Sequence, residues 1–285
     1  MSLRRKRALR KKLKIALLVV ITAIYMFPLY WMVVTSLKTR IDAFTIPPKW
    51  IFKPTLDNYI GVFQVETYGF KSFTEFPQNL LNSFLIGGVS LAIAITLGSL
   101  AAYSFSRFRI KGKDTWLFFI LSMRFLPPAA VVIPIYLFYG ILGLLNTHIG
   151  LILLYTMFNM PFAVWMMKGF VDEIPRDLDE AALMDGYSRM RVLRGVVLPL
   201  ATTGLAATAV FCLITVWNEF LFAYILGGLG TRTAAVAVAT VRGEVGINWG
   251  QIAAKEVIFV TPIVIFTFLL QRHLLRGITF GTVKG

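Results

Sequence analysis

Five side chains that could do chemistry lie inside long apolar runs of this sequence: Arg124, Asn159, Trp217, Asn218 and Glu219. Burying a polar or charged group in such a run costs free energy, so a residue of this kind is by default a candidate for a functional site. Glu219 is the obvious candidate within the chain to neutralise Arg124, and a structural ion pair or the support of a helix bend is the alternative to a role in transport. An aromatic face beside amides suits a ligand with C–H faces and many hydroxyls, and hydrogen bonding between helices is the competing interpretation.

The apolar runs that hold these residues are long enough to cross a bilayer. The chain has 285 residues, of which 57% are hydrophobic and 15% charged, and its mean hydropathy is +0.73. A soluble domain of this length needs more polar surface to cover its core, and roughly 20 apolar residues span the hydrocarbon region. The sequence therefore predicts an all-α polytopic membrane protein with six transmembrane helices, at about 14–37, 80–106, 115–142, 148–170, 197–228 and 255–276.

Positive charge is concentrated in alternate connections, and this orients the predicted spans. The formal net charge is +15, and the basic residues cluster in the N-terminal tail 1–13 and in the connection after the second span. By the positive-inside rule both are cytoplasmic, as are the connection 171–196 and the C-terminal tail 277–285. The remaining connections then face outward: 38–79, 143–148 and 229–254. This distribution argues against a nucleic-acid-binding face.

The predicted cytoplasmic connection 171–196 is longer than a simple turn needs to be. Pro175 suits the first turn of a helix, and the acidic residues that follow it favour the positive end of the helix dipole. Gly186 can adopt the left-handed conformation that ends a helix, and Ser188 can cap a second one. Pro199 then marks the start of the next span. The pattern predicts a helix, a sharp glycine turn and another helix, and a hairpin that merely packs against the bundle has the same composition.

A spaced motif in this connection resembles a family signature. Glu180-Ala181-Ala182 is followed after three residues by Gly186 and, after nine more, by Val196-Val197-Leu198-Pro199. This order resembles the EAA motif of the permease subunits of ATP-binding-cassette importers. The resemblance implies a type I importer architecture with a cytoplasmic coupling helix that docks on a nucleotide-binding subunit. It assigns ATPase coupling to Glu180, Ala181, Ala182, Asp185, Gly186, Leu198 and Pro199.

Shorter motifs extend the resemblance over nearly the whole chain. Phe125-Leu126-Pro127-Pro128, Asn159-Met160-Pro161-Phe162 and the tail Gly281-Thr282-Val283-Lys284-Gly285 are similar to the MalG-like half of sugar or polyol importers. The resemblance implies a multi-pass subunit of a prokaryotic cytoplasmic (inner) membrane, surrounded by lipid. It also implies a second, MalF-like permease subunit, two ATP-binding subunits, an extracytoplasmic solute-binding protein and a carbohydrate substrate. The five side chains in the apolar runs then form a candidate translocation path.

The motifs are not accompanied by a catalytic constellation. The phosphate-binding pattern G-x-x-x-x-G-K-[ST] is absent from the sequence, and Gly112-Lys113 is followed by Asp114. His148 and His273 are predicted near opposite membrane faces, so they do not form one metal site. We expect no enzymatic activity and no metal or cofactor bound by this chain, with ATP and magnesium used by a partner ATPase. The alternative function is a stand-alone, ion-coupled secondary transporter.

Overall fold

The structure is a computed structural model that describes residues 3–67, 70–240 and 248–280, with side chains for 10–64, 72–240 and 248–271. Within these residues, four helices are long and apolar enough to cross a membrane. The number of spans rises to six if each of two bent helix pairs counts as one. The chain divides into two compact units, formed by residues 1–75 with 241–260 and by residues 76–240 with 261–285.

The first unit is built around the end of the long helix α1 (Leu3–Ser36). Two short helices follow, α2 (Arg40–Phe44) and α3 (Asp57–Phe63). An antiparallel hairpin of β1 (Gln64–Thr67) and β2 (Phe70–Phe73), with Gln64 opposite Phe73, is a small addition to the predicted all-helical fold. The Asn58 side chain ties α3 to the end of α1 by donating to the carbonyls of Ser36 and Lys38, at 2.9 and 2.7 Å.

The second unit packs its core between α4 (Phe76–Arg107) and α7 (His148–Asp172), and α11 (Thr202–Trp217) packs against both. Glycine makes the close approach possible, because a Cβ added at Gly98 would lie only 2.7 Å from the Cβ of Ala163. The other helices of the unit are α5 (Lys113–Ser122), α6 (Pro128–Ile141), α8 (Arg176–Met184), α9 (Arg189–Val192), α10 (Leu198–Leu200), α12 (Leu221–Leu226) and α13 (Ala234–Ala239). The last helix, α14 (Trp249–Phe280), contributes its first turns to the first unit.

The third predicted span, 115–142, is not a single straight helix. A 3₁₀ turn, Met123–Phe125, follows α5, and the two helical segments of the span meet at 92°. Leu126, which precedes Pro127, has φ −63° and ψ 121° and therefore leaves the helical region, as expected for a residue before proline. The length of the predicted span allows such a break, and hydropathy does not locate it, because a broken span and a straight one have the same apolar length.

The fifth predicted span, 197–228, is also broken. A bend of 80° separates the segment Arg189–Leu200 from α11, so a new helix begins at Thr202, three residues after Pro199. It ends at Trp217, and α12 follows after a short break.

The predicted ends of the membrane domain also differ from the observed helices. The helix α1 begins at Leu3, within the predicted tail 1–13. The sixth predicted span, 255–276, starts earlier, at Trp249, and its helix continues to Phe280, into the predicted tail 277–285. Residues 281–285, which include the tail motif, lie outside the described part of the chain.

Candidate functional site

The motif-bearing connection forms a closed helical hairpin. After α8, the N–H of Tyr187 donates to the carbonyl of Ala182 and the N–H of Gly186 donates to that of Leu183, both at 3.0 Å. These two bonds are the Schellman pattern, and Gly186 has the positive φ, 82°, that the pattern requires. The Ser188 hydroxyl accepts from the N–H of Arg191 at the start of α9. The predicted glycine turn and serine cap are confirmed.

The motif residues of α8 divide between two faces. Ala182 is buried against a core of residues from α4, α7, α9 and the segment after α9, including Val171 and Val192. Glu180, Ala181, Asp185 and Gly186 are exposed. The small Ala182 thus lets the helix lie close to the bundle, while the other motif residues in α8 and its turn stay accessible.

A buried ion pair that the sequence reasoning missed holds this hairpin to the bundle. Arg107, at the end of α4, contacts Asp179 at 2.8 Å, and 4% and 3% of the two side chains are exposed. Arg107 also donates to the carbonyl of Ile174 at 2.9 Å, and Arg176 donates to that of Ser106 at 2.7 Å. In the sequence, Arg107 is one of the basic residues after the second predicted span, which indicate only the orientation of the spans. A basic residue at a span end followed by an acidic residue in the next long cytoplasmic loop is a signal too weak to name the pair.

The second half of the motif lies at the bend that leads to α11. A π-helical turn, Leu193–Val197, continues α9 and runs into the short helix α10. Val197 is buried in the same core as Ala182, Leu198 is partly buried and Pro199 is exposed. Turns of this kind are frequent at functional sites, and this one joins the hairpin directly to a membrane helix.

Arg124 lies in the 3₁₀ turn between α5 and α6 and faces two other elements. Its guanidinium donates to the carbonyl of Phe158 at 3.0 Å and to the hydroxyl of Thr215 at 3.2 Å. It also lies over the ring of Phe162, with 5.1 Å to the ring centre. These contacts offset part of the roughly 2.5–3.5 kcal/mol that an arginine costs inside a bilayer.

The predicted ion pair between Arg124 and Glu219 is wrong. No salt bridge joins the two side chains, both of which the structure describes. The Glu219 carboxylate instead accepts from the Tyr155 hydroxyl at 2.6 Å and from the backbone N–H groups of Phe222 and Ala223 at 2.8 and 3.1 Å. Neutral donors from α7 and from the start of α12 satisfy the carboxylate, and a search for opposite charge in the sequence cannot find them.

Asn159 lies beside these two residues, and its amide is only half satisfied. Its Nδ2 donates to the carbonyl of Tyr155 at 3.0 Å, whereas its buried Oδ1 has no hydrogen-bond partner among the described residues. Asn159, Arg124 and Glu219 together line a cavity of about 190 Å³, with Tyr155 and Thr215. This volume is below the ~300–1,000 Å³ typical of small-molecule pockets, so the cavity is only part of a binding site.

The other two candidates, Trp217 and Asn218, do not line this cavity. Trp217 is buried and packs edge-on against Phe84, with ring centres 4.9 Å apart. Asn218 is exposed, and its side chain donates to the carbonyl of Ile214 at 2.8 Å. Within the described residues, no group of three or more histidine, cysteine or acidic side chains is placed to hold a metal ion.

Comparison with known proteins agrees with this architecture. A family model described as the inner membrane component of binding-protein-dependent transport systems matches residues 94–280. The chain is 37% identical over 278 residues to a probable ABC transporter permease protein of Sinorhizobium fredii, which covers 98% of this chain and 97% of that one. It is 33% identical over 283 residues to the trehalose/maltose transport system permease protein MalG of Thermococcus litoralis, covering 99% of each chain.

A solved structure shows the same fold. One chain of a bacterial ABC transporter involved in the import of the acidic polysaccharide alginate superimposes with a TM-score of 0.78 at 20% identity, over 95% of this chain and 98% of that one. The predicted multi-span helical architecture of an importer permease is therefore confirmed. The family model, the relatives of nearly full length and the shared fold agree, so the chain belongs to the family of inner-membrane components of binding-protein-dependent transport systems, which are multi-pass permease subunits of ABC transporters.

Proposed function

We propose that this chain is the MalG-like permease subunit of an ATP-driven carbohydrate importer. Relatives at 33% and 35% identity are named as permeases for trehalose/maltose and for trehalose, the second from Mycobacterium tuberculosis. The importer would contain a second, MalF-like permease subunit, two ATP-binding subunits that use ATP and magnesium, and an extracytoplasmic solute-binding protein. Both termini of this chain would be cytoplasmic, as its basic connections indicate.

The observation that carries this proposal is the hairpin of α8 and α9, which is anchored to the bundle but exposes apolar side chains. Met184 is 88% exposed at the end of α8, and Leu178, Tyr187 and Met190 are each at least 40% exposed. Exposed apolar residues grouped on one ordered element are typical of a protein contact. With the motif residues Glu180 and Gly186 beside them, they would form the surface that receives the ATPase subunit.

Co-purification with the ATPase subunit tests this surface. We expect Met184→Glu to abolish co-purification, because it places a charge in an apolar contact, and Glu180→Lys to weaken it. The matched control is Lys111→Glu, an exposed residue of another predicted cytoplasmic connection, which should leave binding unchanged. An ATPase that stays bound to both hairpin variants contradicts the proposal.

Transport in vesicles separates this function from the alternative. An importer of this kind needs ATP and its binding protein, whereas a secondary transporter works alone on an ion gradient. Uptake that persists without ATP, driven by a proton or sodium gradient, favours the secondary transporter. The absence of uptake until ATP, the ATPase and the binding protein are all present supports the importer.

We also propose that the cavity lined by Arg124, Asn159 and Glu219 is this subunit's part of the translocation path. The unpaired Oδ1 of Asn159 is suited to accept from a passing hydroxyl, because a buried acceptor gains most from a new partner. Asn159→Ala should raise the KM for uptake severalfold. Asn79→Ala is the matched control, since the Asn79 Oδ1 is also buried and unpartnered but Asn79 does not line the cavity. Equal effects of the two changes count against a path through the cavity.

A further inference from the structure

A second cavity lies in the first unit, at the end of α1 opposite its basic N-terminal residues. Its volume is about 440 Å³, within the range of small-molecule pockets. The start of α2 and the first turns of α14 complete its wall. Residues that could bind a ligand are present on all three helices and in the turn between α1 and α2: Trp31, Lys38, Asp42, Trp249 and Glu256.

The ammonium group of Lys38 is the most unusual feature of this cavity. The residue is only 2% exposed, and its Nζ lies 4.4 Å from the ring centre of Trp31 and 5.3 Å from that of Phe52. No carboxylate, hydroxyl or carbonyl accepts from this Nζ within the described part of the chain. A buried ammonium has three donors to satisfy, and the two rings offset its charge without accepting those hydrogen bonds.

The two acidic residues of the wall differ from each other. Asp42 is paired with Lys49 at 2.6 Å, and this hydrogen bond lowers the pKa of Asp42, so the pair is formed and formally neutral at pH 7. Glu256 makes no hydrogen bond or salt bridge with any described residue. Among the described residues, the cavity therefore presents an ammonium without a hydrogen-bond acceptor, Lys38, whose charge also acts on Asp42, and a carboxylate without a salt bridge, Glu256.

These charges restrict the class of ligand. An anion such as a phosphate would be attracted by Lys38 but repelled by Glu256. An ammonium ion would be attracted by Glu256 but repelled by Lys38. The charges therefore favour a ligand without net charge. A molecule with several hydroxyls is such a ligand and satisfies both groups, because one hydroxyl donates to the carboxylate while another accepts from the ammonium. Trp249, which is about half exposed and lines the cavity, provides a flat face for C–H groups. We infer that this cavity is a second binding site of the permease, and that it takes a neutral sugar ring.

An interfacial belt is the structural alternative for the aromatic residues, since tryptophan is enriched where a helix meets the membrane surface. A belt accounts for Trp50, which is 60% exposed and does not line the cavity. It does not account for Lys38, because an interfacial lysine extends its ammonium into water and this one is buried. The inference rests on the proposed carbohydrate function. It adds a second place where this subunit binds a sugar ring, besides the proposed translocation path.

Equilibrium dialysis with labelled maltose and trehalose tests the site on the full chain in lipid nanodiscs, without a binding protein. We expect saturable binding of at least one of the two sugars, which inorganic phosphate and choline do not displace. Trp249→Ala and Glu256→Gln should each weaken the affinity about tenfold, and Lys38→Met should do the same while keeping the apolar stem. Trp116→Ala is the control, because Trp116 on α5 is 56% exposed, against 47% for Trp249, and does not line the cavity.

Three results overturn the inference: no saturable binding of either sugar, binding that all three cavity variants retain, or displacement by phosphate or choline. A phospholipid that co-purifies with the chain and is lost in Lys38→Met also overturns it, in favour of a lipid site. Uptake by the reconstituted transporter is measured in parallel. If the complete transporter carries no carbohydrate, the proposed function fails, whereas carbohydrate uptake without binding at this cavity removes only the second site.

Discussion

At the scale of single residues, the buried ion pair of Arg107 and Asp179 attaches the hairpin to the end of α4. This pair gives the first prediction. Asp179→Ala leaves the Arg107 guanidinium buried with only part of its acceptors, Ile174 and Ser106. Removing one member of a buried pair costs about 3–5 kcal/mol. We expect a clear fall in the melting temperature of the purified chain and a loss of ATPase co-purification, measured by thermal unfolding and pull-down.

A partly exposed pair in the same unit provides the control for this prediction. Lys168 and Asp172 are four residues apart at the end of α7, and their side chains are 18% and 43% exposed. Lys168→Met should therefore cost no more than about 1 kcal/mol. The double variant Arg107→Met with Asp179→Leu should recover much of the lost stability, because apolar residues can replace a buried pair. Equal melting temperatures for Asp179→Ala and Lys168→Met contradict the assigned role.

Single residues also show where sequence reasoning on the site succeeds and where it fails. The cost of a charge in an apolar run identified Arg124 and Glu219, and the structure brings both to one cavity. The pairing failed because a buried charge can be satisfied by carbonyls, hydroxyls and backbone N–H groups as well as by an opposite charge. Such neutral partners, here Tyr155 and Phe158, are too common in the sequence to be identified before the fold is known.

Gly186 carries the prediction that concerns the hairpin as an element. Its φ of +82° costs an ordinary L-residue roughly 1–2 kcal/mol, and no atom lies within 4 Å of an added Cβ, so only backbone conformation opposes a side chain. Asparagine tolerates this conformation, whereas a β-branched residue does not. Gly186→Asn should keep ATPase co-purification and Gly186→Val should lose it. Loss in both variants would show that the site needs glycine for contact and not for its turn.

The packing of α4 against α7 gives a matched pair of glycine substitutions. At Gly98 an added Cβ meets Ala163 at 2.7 Å and the backbone of Val164 at 3.2 Å, so Gly98→Ala should destabilise the chain by about 1–3 kcal/mol. On the same helix nothing lies within 4 Å of an added Cβ at Gly88. Gly88→Ala should be neutral or stabilise by up to about 1 kcal/mol, since alanine favours helix. Thermal unfolding measures both, and similar shifts for the two would contradict the tight contact of α4 with α7.

At the scale of the whole molecule, hydropathy and charge are sufficient to predict the helical class and the approximate positions of the spans. They do not predict the two bends. The 92° bend after Arg124 has a local signal in Pro127-Pro128. The 80° bend beside Ala201 has one in Pro199, but the π-helical turn before it was not predicted. The residues at the bend pack against Val197 and the rest of the hairpin core. The angle of this bend therefore depends on packing between residues that are far apart in the sequence, and hydropathy along the chain does not reveal it.

The orientation of the whole chain gives the last prediction, and its single cysteine makes the measurement simple. Cys212 is 0% exposed, so the natural chain provides an unreactive background. Ile46 and Met184 are 95% and 88% exposed, and they lie in connections that the positive-inside rule assigns to opposite sides. In intact cells a membrane-impermeant maleimide should label Ile46→Cys and leave Met184→Cys unlabelled. Opening the cells should make Met184→Cys reactive, because the hairpin faces the compartment that holds ATP. The reverse pattern would place the hairpin outside, where no ATPase could bind it, and would end the coupling proposal.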